Sequence, residues 1–215
     1  MAFQSLCVGF GWIAVALGVV STFAQYRRAT ALGIEGISLA TWFTFMLLGS
    51  FWIAYGASVH SWAIVMGSLS VLPLQLAVVF RLKPWQRWNV PLRCFGFFAA
   101  CCIVPTVLGG WAVGLLGAGV AMVANRGPQL IQLVRHRGAT GVSASAWTLS
   151  VAGSSLWIVY YVGFHLPSAL IATCGATATN LTIALLATWR HRQNRNDLVR
   201  DEVFVSRTGA TNFAT

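Results

Sequence analysis

The chain has 215 residues, of which 57% are hydrophobic and only 8% charged, with a formal net charge of +10. Soluble domains carry roughly 25% charged residues, so this composition excludes an ordinary soluble protein and points to an all-α integral membrane protein. Nucleic-acid binding is excluded by where the positive charge sits. Lys and Arg cluster at Arg27–Arg28, at Arg81, Lys83, Arg87 and Arg93, at Arg126, Arg135 and Arg137, and from Arg190 to Arg207, with none around 58–62, 107–111 or 163–167. That alternation is the loop-charge rule for membrane topology.

Seven apolar windows of roughly the length a bilayer requires alternate with the clusters. The first, over 5–25, follows an N-terminus with no positive leader and no small-residue cleavage site, which predicts a retained helix rather than a signal peptide. Spans over 38–58 and 63–80 follow, then a short one over 92–108 limited by Pro105 and Gly109–Gly110, then 111–133, 143–163 and 167–189. Residues 190–215 are polar and are expected to form a mobile tail. An outside N-terminus and a cytoplasmic C-terminus put all fourteen Lys and Arg on one side of a cell (plasma or inner) membrane. Trp62, Trp85, Trp88, Trp111 and Trp189 fall near span ends, where indole rings anchor helices at the interface. The five cysteines lie in apolar runs at no metal-ligand spacing and are expected to serve packing.

An internal repeat organises the spans. Shifted by 105 positions, Gly36, Ser38, Trp42, Ser50, Trp52, Ile53, Tyr55 and His60 fall on Gly141, Ser143, Trp147, Ser155, Trp157, Ile158, Tyr160 and His165. Gln25 pairs with Gln129 after a single-residue gap. Three helices per half with one joining helix give a 3+1+3 arrangement of parallel repeats: a first triple-helix bundle over 1–81, a linker with helix four over 82–110, a second bundle over 111–189, and a tail over 190–215. The two bundles then enter the membrane in the same direction and are related by an axis along its normal.

In the second half, "GPQLIQLVRHRGATGVSASAW" followed by "SSLWIVYYVG" resembles the PQ-loop superfamily, with its Pro-Gln, Gly-x-Ser and Trp-x-x-Tyr elements; "FAQYRRATALGIEGISLATW" and "SFWIAYG" repeat it in the first half. The arrangement looks like a full-length SWEET, a sugar facilitator whose parallel repeats enclose a central pocket. The superfamily also includes cystinosin-like amino-acid carriers and the more distant KDEL receptors. The resemblance implies a transmembrane facilitator that moves a small polar solute, a sugar first and an amino acid or other metabolite second, by alternating access between two bundles. A membrane receptor is the alternative of another class. This chain departs from the pattern in having Ala24 where the first repeat usually has proline, and in lacking prolines in "SLATW" and "SASAW".

Candidate solute contacts are Trp52 and Trp157, whose ring faces suit flat solutes, with Ser68, Thr173, Gln75 and Asn180 behind them in the third helix of each half. Helix packing, interhelical hydrogen bonding and back-bonding to the helix's own carbonyls are the competing roles. Gln25, Pro128 and Gln129 are the candidate hinge or gate, because Pro128 removes a backbone hydrogen bond inside an apolar helix. No Asp, Glu or Lys falls in any span, and where cystinosin-like carriers have a coupling carboxylate this chain has Ser150 and Phe45. That pattern predicts passive facilitation rather than proton-driven pumping. His60 and His165, of the one residue type that ordinarily titrates near neutral pH, fall in the external turns and are expected to finish helices. No catalytic constellation or metal-ligand cluster is present, so neither an enzyme nor a bound cofactor or metal is expected. The expected partners are the solute and the lipid bilayer, not nucleic acid, and the sequence leaves a homo-oligomer open.

Overall fold

The computed structural model describes residues 2–35, 37–135 and 142–211, with only the backbone described for 2 and 196–211. The repeat pair Gly36–Gly141 and Arg137 lie outside the described residues. Among the described residues all regular structure is helical: α1 (Ala2–Ala31), α2 (Leu39–Ser58), α3 (Trp62–Leu69), α4 (Leu72–Arg81), α5 (Asn89–Phe98), α6 (Val104–Ala124), α7 (Gly127–Arg135), α8 (Ala144–Gly163) and α9 (Pro167–Thr211). A 3-10 turn at Pro84–Gln86 precedes α5, and a π-turn over Ala99–Ile103 joins α5 to α6.

The helix starts follow from side-chain capping. Ser38, Ser61 and Ser143 precede α2, α3 and α8 in extended conformation, and each hydroxyl accepts the backbone N–H three residues on, offsetting a donor that the first turn leaves unpaired. Prolines set the breaks. A two-residue turn at Ser70–Val71 separates α3 from α4 just before Pro73, and another at Asn125–Arg126 separates α6 from α7 just before Pro128. By contrast α1 passes Ala24 without interruption.

Among the described residues five segments are long and apolar enough to cross a membrane: Phe3–Ala31, Leu39–Ser58, Trp62–Arg81, Asn89–Arg135 and Pro167–Arg195. The fourth is not one straight rod. Gly110 sits at φ 72° and ψ −172°, a conformation only glycine adopts readily. A side chain on Gly114 would strike Thr106, and one on Gly117 would strike the Cys101 carbonyl and Pro105. In a straight helix residues 101 and 117 would stand about 24 Å apart, so the chain folds back on itself at Gly110. Helix α8 matches α2 in length at 20 residues but falls below the other spans in hydropathy because Ser, Trp and Tyr interrupt it.

The molecule is apolar outside and partly polar inside. Leu92, Val107 and Leu108 are each more than 70% exposed, whereas Gln25, Thr41, Asn125, Arg126, Gln129 and Asn180 are buried. This inversion suits a hydrocarbon surround enclosing a polar interior. The third helical segment of each half lies between the first two: α3 and α4 contact both α1 and α2, and α9 contacts α6, α7 and α8. The most extensive seam joins α1 to α8, whereas α2 meets α6 and α7 sparsely and is flanked by α5 instead.

Charge is sorted by end. Arg28 Nη2 lies 3.2 Å from His191 Nε2, Arg81 sits over the Tyr26 ring, and Arg190 donates to the last carbonyls of α7, those of Leu133 and Val134. The basic ends of α1 and α7 therefore meet the start of the polar segment of α9, and that of α4 packs on α1. The opposite end gathers the Gly110 reversal, the α2–α3 and α8–α9 turns and the start of α1, where Gly163 abuts Cys7 and Phe3. The tail expected to be mobile from residue 190 instead continues α9 to Thr211. The chain has no Gly or Pro between 190 and 208 to stop a helix. All five cysteines are free thiols.

Candidate functional site

Between the two halves of the sequence repeat lies a cavity of about 240 Å³, with an adjoining lobe of about 170 Å³. Taken together the lobes fall at the low end of the roughly 300–1,000 Å³ of small-molecule sites, so the space suits a small metabolite. The six solute-contact candidates converge on it. Trp52, Ser68, Trp157 and Asn180 line both lobes, Gln75 lines the larger and Thr173 the smaller. Of the gate candidates, Gln25 lines the larger lobe, while Pro128 and Gln129 line neither.

The end of the cavity near the α2–α3 and α8–α9 turns is closed by aromatic rings. Trp52 and Trp157 both stack on Tyr161, at centroid distances of 6.1 and 5.7 Å and 20° between planes. Ser61 Oγ and Tyr160 OH share a hydrogen bond of 2.8 Å across the two halves. Trp111 packs against Phe51 and Tyr55 rather than standing free as an interfacial anchor, whereas Trp62, Trp85, Trp88 and Trp189 are exposed as expected.

The opposite end is closed by two matched hydrogen bonds. Gln129 Oε1 accepts the backbone N–H of Ser38 at 3.1 Å, and Gln25 Oε1 accepts that of Ser143 at 2.9 Å. Each glutamine thus reaches from its own half to the serine that starts the second long helix of the other half. Ser38 and Ser143 already cap those helices with their hydroxyls, so each serine holds its helix and receives the opposite half at one point. All four residues are no more than 3% exposed, and a buried N–H deprived of its acceptor costs about 1–3 kcal/mol. Thr41 adds a bond from Oγ1 to the Asn125 carbonyl, 2.7 Å, and Phe45 and Trp147 meet at 6.2 Å.

Arg126 is the one charge that the sequence sets inside the 111–133 span, and on which a charged, receptor-like pocket would rest. Its grouping with Arg135 and Arg137 put it at the basic end, but it is 4% exposed and lines both lobes. Its Nε donates to Asn180 Oδ1 at 2.6 Å, and its Nη1 donates to the Met122 carbonyl and, at 3.5 Å, to Asn125 Oδ1. Its guanidinium carbon lies 5.1 Å from the centre of the Phe45 ring, within cation–π range. The repeat held the signal: three residues before Gln129 stands Arg126, and three before Gln25 stands Thr22, also on the cavity wall. Tyr161 was missed as well, because its counterpart at a shift of 105 is Gly56, so the repeat does not mark it.

Among the described residues Gln75 Oε1 and Asn125 Nδ2 are buried without a hydrogen-bond partner. Ser21 and Ser150 hydroxyls meet at 3.2 Å across the α1–α8 seam. His60 and His165 are exposed, away from the cavity, and each takes the left-handed conformation, with φ of 52° and 53°. Around His60 the backbone bonds run from His60 to Ala57 and from Ser61 to Gly56; around His165 they run from His165 to Val162 and from Leu166 to Tyr161. This is the pattern that ends a helix with a left-handed residue. Among the described residues no group of His, Cys, Asp or Glu could hold a metal ion.

No family model, no curated protein and no solved structure matches this chain.

Proposed function

We propose that the chain is a seven-span facilitator of the PQ-loop type, carrying a small polar solute through the central cavity as the two triple-helix bundles rock about it. The reversal at Gly110 supports counting the Asn89–Arg135 segment as two spans, and α8 as a further one, which yields three, one and three. The sorting of Arg28, Arg81 and Arg190 to one end supports a cytoplasmic C-terminus and an outside N-terminus. The observation that carries the reading is the convergence of Trp52, Ser68 and Gln75 from one half with Trp157, Thr173 and Asn180 from the other on a single cavity. Contacts between halves lie at both of its ends, as an occluded intermediate of alternating access requires. In this reading the paired glutamines form the cytoplasmic gate and the Trp52–Tyr161–Trp157 stack the external one. Sugars are the solute class that the resemblance favours; carboxylate-bearing solutes such as amino acids are the second reading, favoured by Arg126.

Uptake of labelled sugars, amino acids and short carboxylates into proteoliposomes, with and without a pH gradient, tests the proposal. The expected result is saturable flux of at least one class that does not need the gradient, because no carboxylate or histidine lines the cavity to carry a proton. Flux that requires the gradient would overturn passive facilitation. Absence of flux for every class would favour a receptor.

A further inference from the structure

Resting on that reading of the cavity as the solute path, we infer that Arg126 is its specificity-determining residue and that the solute carries a carboxylate paired with it. The first argument is charge balance. The two lobes are lined by no Asp, Glu, Lys or His, and the chain's four acidic residues, Glu35, Asp197, Asp201 and Glu202, stand in a loop and in the polar segment of α9. A buried guanidinium without a counter-ion is costly. The neutral carbonyl and amide acceptors around Arg126 orient it but do not neutralise it.

The second argument is geometry. Asn180 and Met122 hold Nε and Nη1, while no protein hydrogen bond engages Nη2. The group is therefore held through Nε and Nη1, and Nη2 is the donor left to give a solute carboxylate a charge-assisted hydrogen bond. Phe45 covers one face of the group, its ring centre 5.1 Å from the guanidinium carbon.

The third argument is valence. One arginine balances one negative charge, whereas a phosphate monoester carries about −1.5 to −2 near neutral pH and would find no second cation. The wall contributed by α4 holds Gln75, whose buried Oε1 has no hydrogen-bond partner among the described residues, and a rotation of that side chain would turn an acceptor toward a hydroxyl or ammonium at the far end of the solute. A short hydroxy- or amino-carboxylate would thus engage both halves, the second through Arg126 and the first through Gln75.

The test uses the purified full chain in detergent and in proteoliposomes. Acetate, lactate, pyruvate, gluconate and glycine are each compared with the corresponding neutral amide, except glycine, which is compared with ethanolamine; glucose and inorganic phosphate serve as reference solutes. Binding is read by calorimetry and transport by labelled uptake. At least one carboxylate should bind and cross saturably. Arg126→Gln should weaken its binding about 10- to 100-fold, the range expected for a lost charge-assisted hydrogen bond, while Arg126→Lys retains part of it. Asn180→Asp guards against a misfolded variant. It places a carboxylate where Oδ1 now lies 2.6 Å from Nε, so the protein should melt no lower than the parent and yet lose carboxylate binding.

Equal binding of a carboxylate and its amide, preferential binding of phosphate, or carboxylate affinity unchanged in both Arg126→Gln and Asn180→Asp would overturn the inference. Glucose flux that survives Arg126→Gln would overturn it while leaving the facilitator intact. Arg126-dependent carboxylate binding with no uptake would overturn the facilitator and leave the inference standing.

Discussion

The two halves of this chain share a plan and differ at a few positions, and the differences locate its chemistry. Both contribute a glutamine that grips the serine at the start of the other half's long helix, and both contribute a tryptophan that stacks on Tyr161. Where they part, the first half has Thr22, Ala24, Gly56 and Gln75, and the second has Arg126, Pro128, Tyr161 and Asn180. The first half carries an unbroken α1 and a third helix broken before Pro73; the second carries a first helix broken before Pro128 and an unbroken α9. Matched residues therefore join the halves at both ends of the cavity, and unmatched ones give it a charge, an aromatic fill and a break in one wall helix.

The largest test of this division falls on Tyr161, the aromatic residue without a counterpart. It joins a tryptophan of each half, so Tyr161→Ala should remove both stacks and leave a void, at about 3–5 kcal/mol for a truncated aromatic. Tyr161→Phe keeps the stacks and should cost less than about 1.5 kcal/mol. The melting temperature in detergent reads both, and an Ala variant as stable as the Phe variant would mean that the stack does not join the halves.

Next in size is the proline asymmetry. Ala24→Pro would impose on α1 the break that the second half already has, at about 3 kcal/mol for a proline in a helix interior. Pro128→Ala falls where the chain already turns between helices and should change stability by no more than about 1 kcal/mol. Its effect should appear in transport instead, as slower turnover at unchanged affinity, if the turn at Asn125–Arg126 is where the second half bends. Equal destabilisation by the two substitutions would show that the break before Pro128 is not set by proline.

These contrasts also show what could be read from sequence. Caps at Ser38 and Ser143, the glutamine pair, the reversal at Gly109–Gly110 and the six cavity residues follow from local chemistry and from the repeat, which names each residue twice. Arg126 was legible as a charge inside a span but was given no solute contact, because a topology rule accounts for any basic residue near a span end and Arg135 stands close by. Tyr161 was concealed because the repeat offers only Gly56 opposite it. The pairing of each glutamine with the other half's serine is a long-range contact that no local pattern encodes. The break before Pro73 was legible in principle, since a proline frees the carbonyl one turn back, but a continuous apolar run masked it.

The glutamine bonds make the sharpest test of symmetry itself. Gln25→Leu and Gln129→Leu each leave a buried serine N–H without its acceptor, at about 1–3 kcal/mol, and the two should cost alike. Both should raise the rate at which a water-soluble thiol reagent labels Ser21→Cys, which lies in the cavity wall between the glutamines and the centre. If only Gln129→Leu does so, the gate belongs to the sparse α2–α7 side, and the dense α1–α8 seam acts as the pivot.

The smallest expected effect concerns the histidines, the most closely matched pair outside the cavity. His60 and His165 both hold a left-handed backbone at φ near 50°, which costs a side-chain-bearing residue about 1–2 kcal/mol relative to glycine. His60→Gly and His165→Gly should therefore each stabilise the protein, by about 1 kcal/mol at most once the flexibility glycine adds to the unfolded chain is counted. If the residues only finish helices, the pH profile of uptake should be the same in parent and variants between about pH 5.5 and 8, the interval in which imidazole ordinarily titrates. A profile altered by either variant would give the histidine a part in proton movement. A profile altered by only one would add a fifth position at which the halves divide their work.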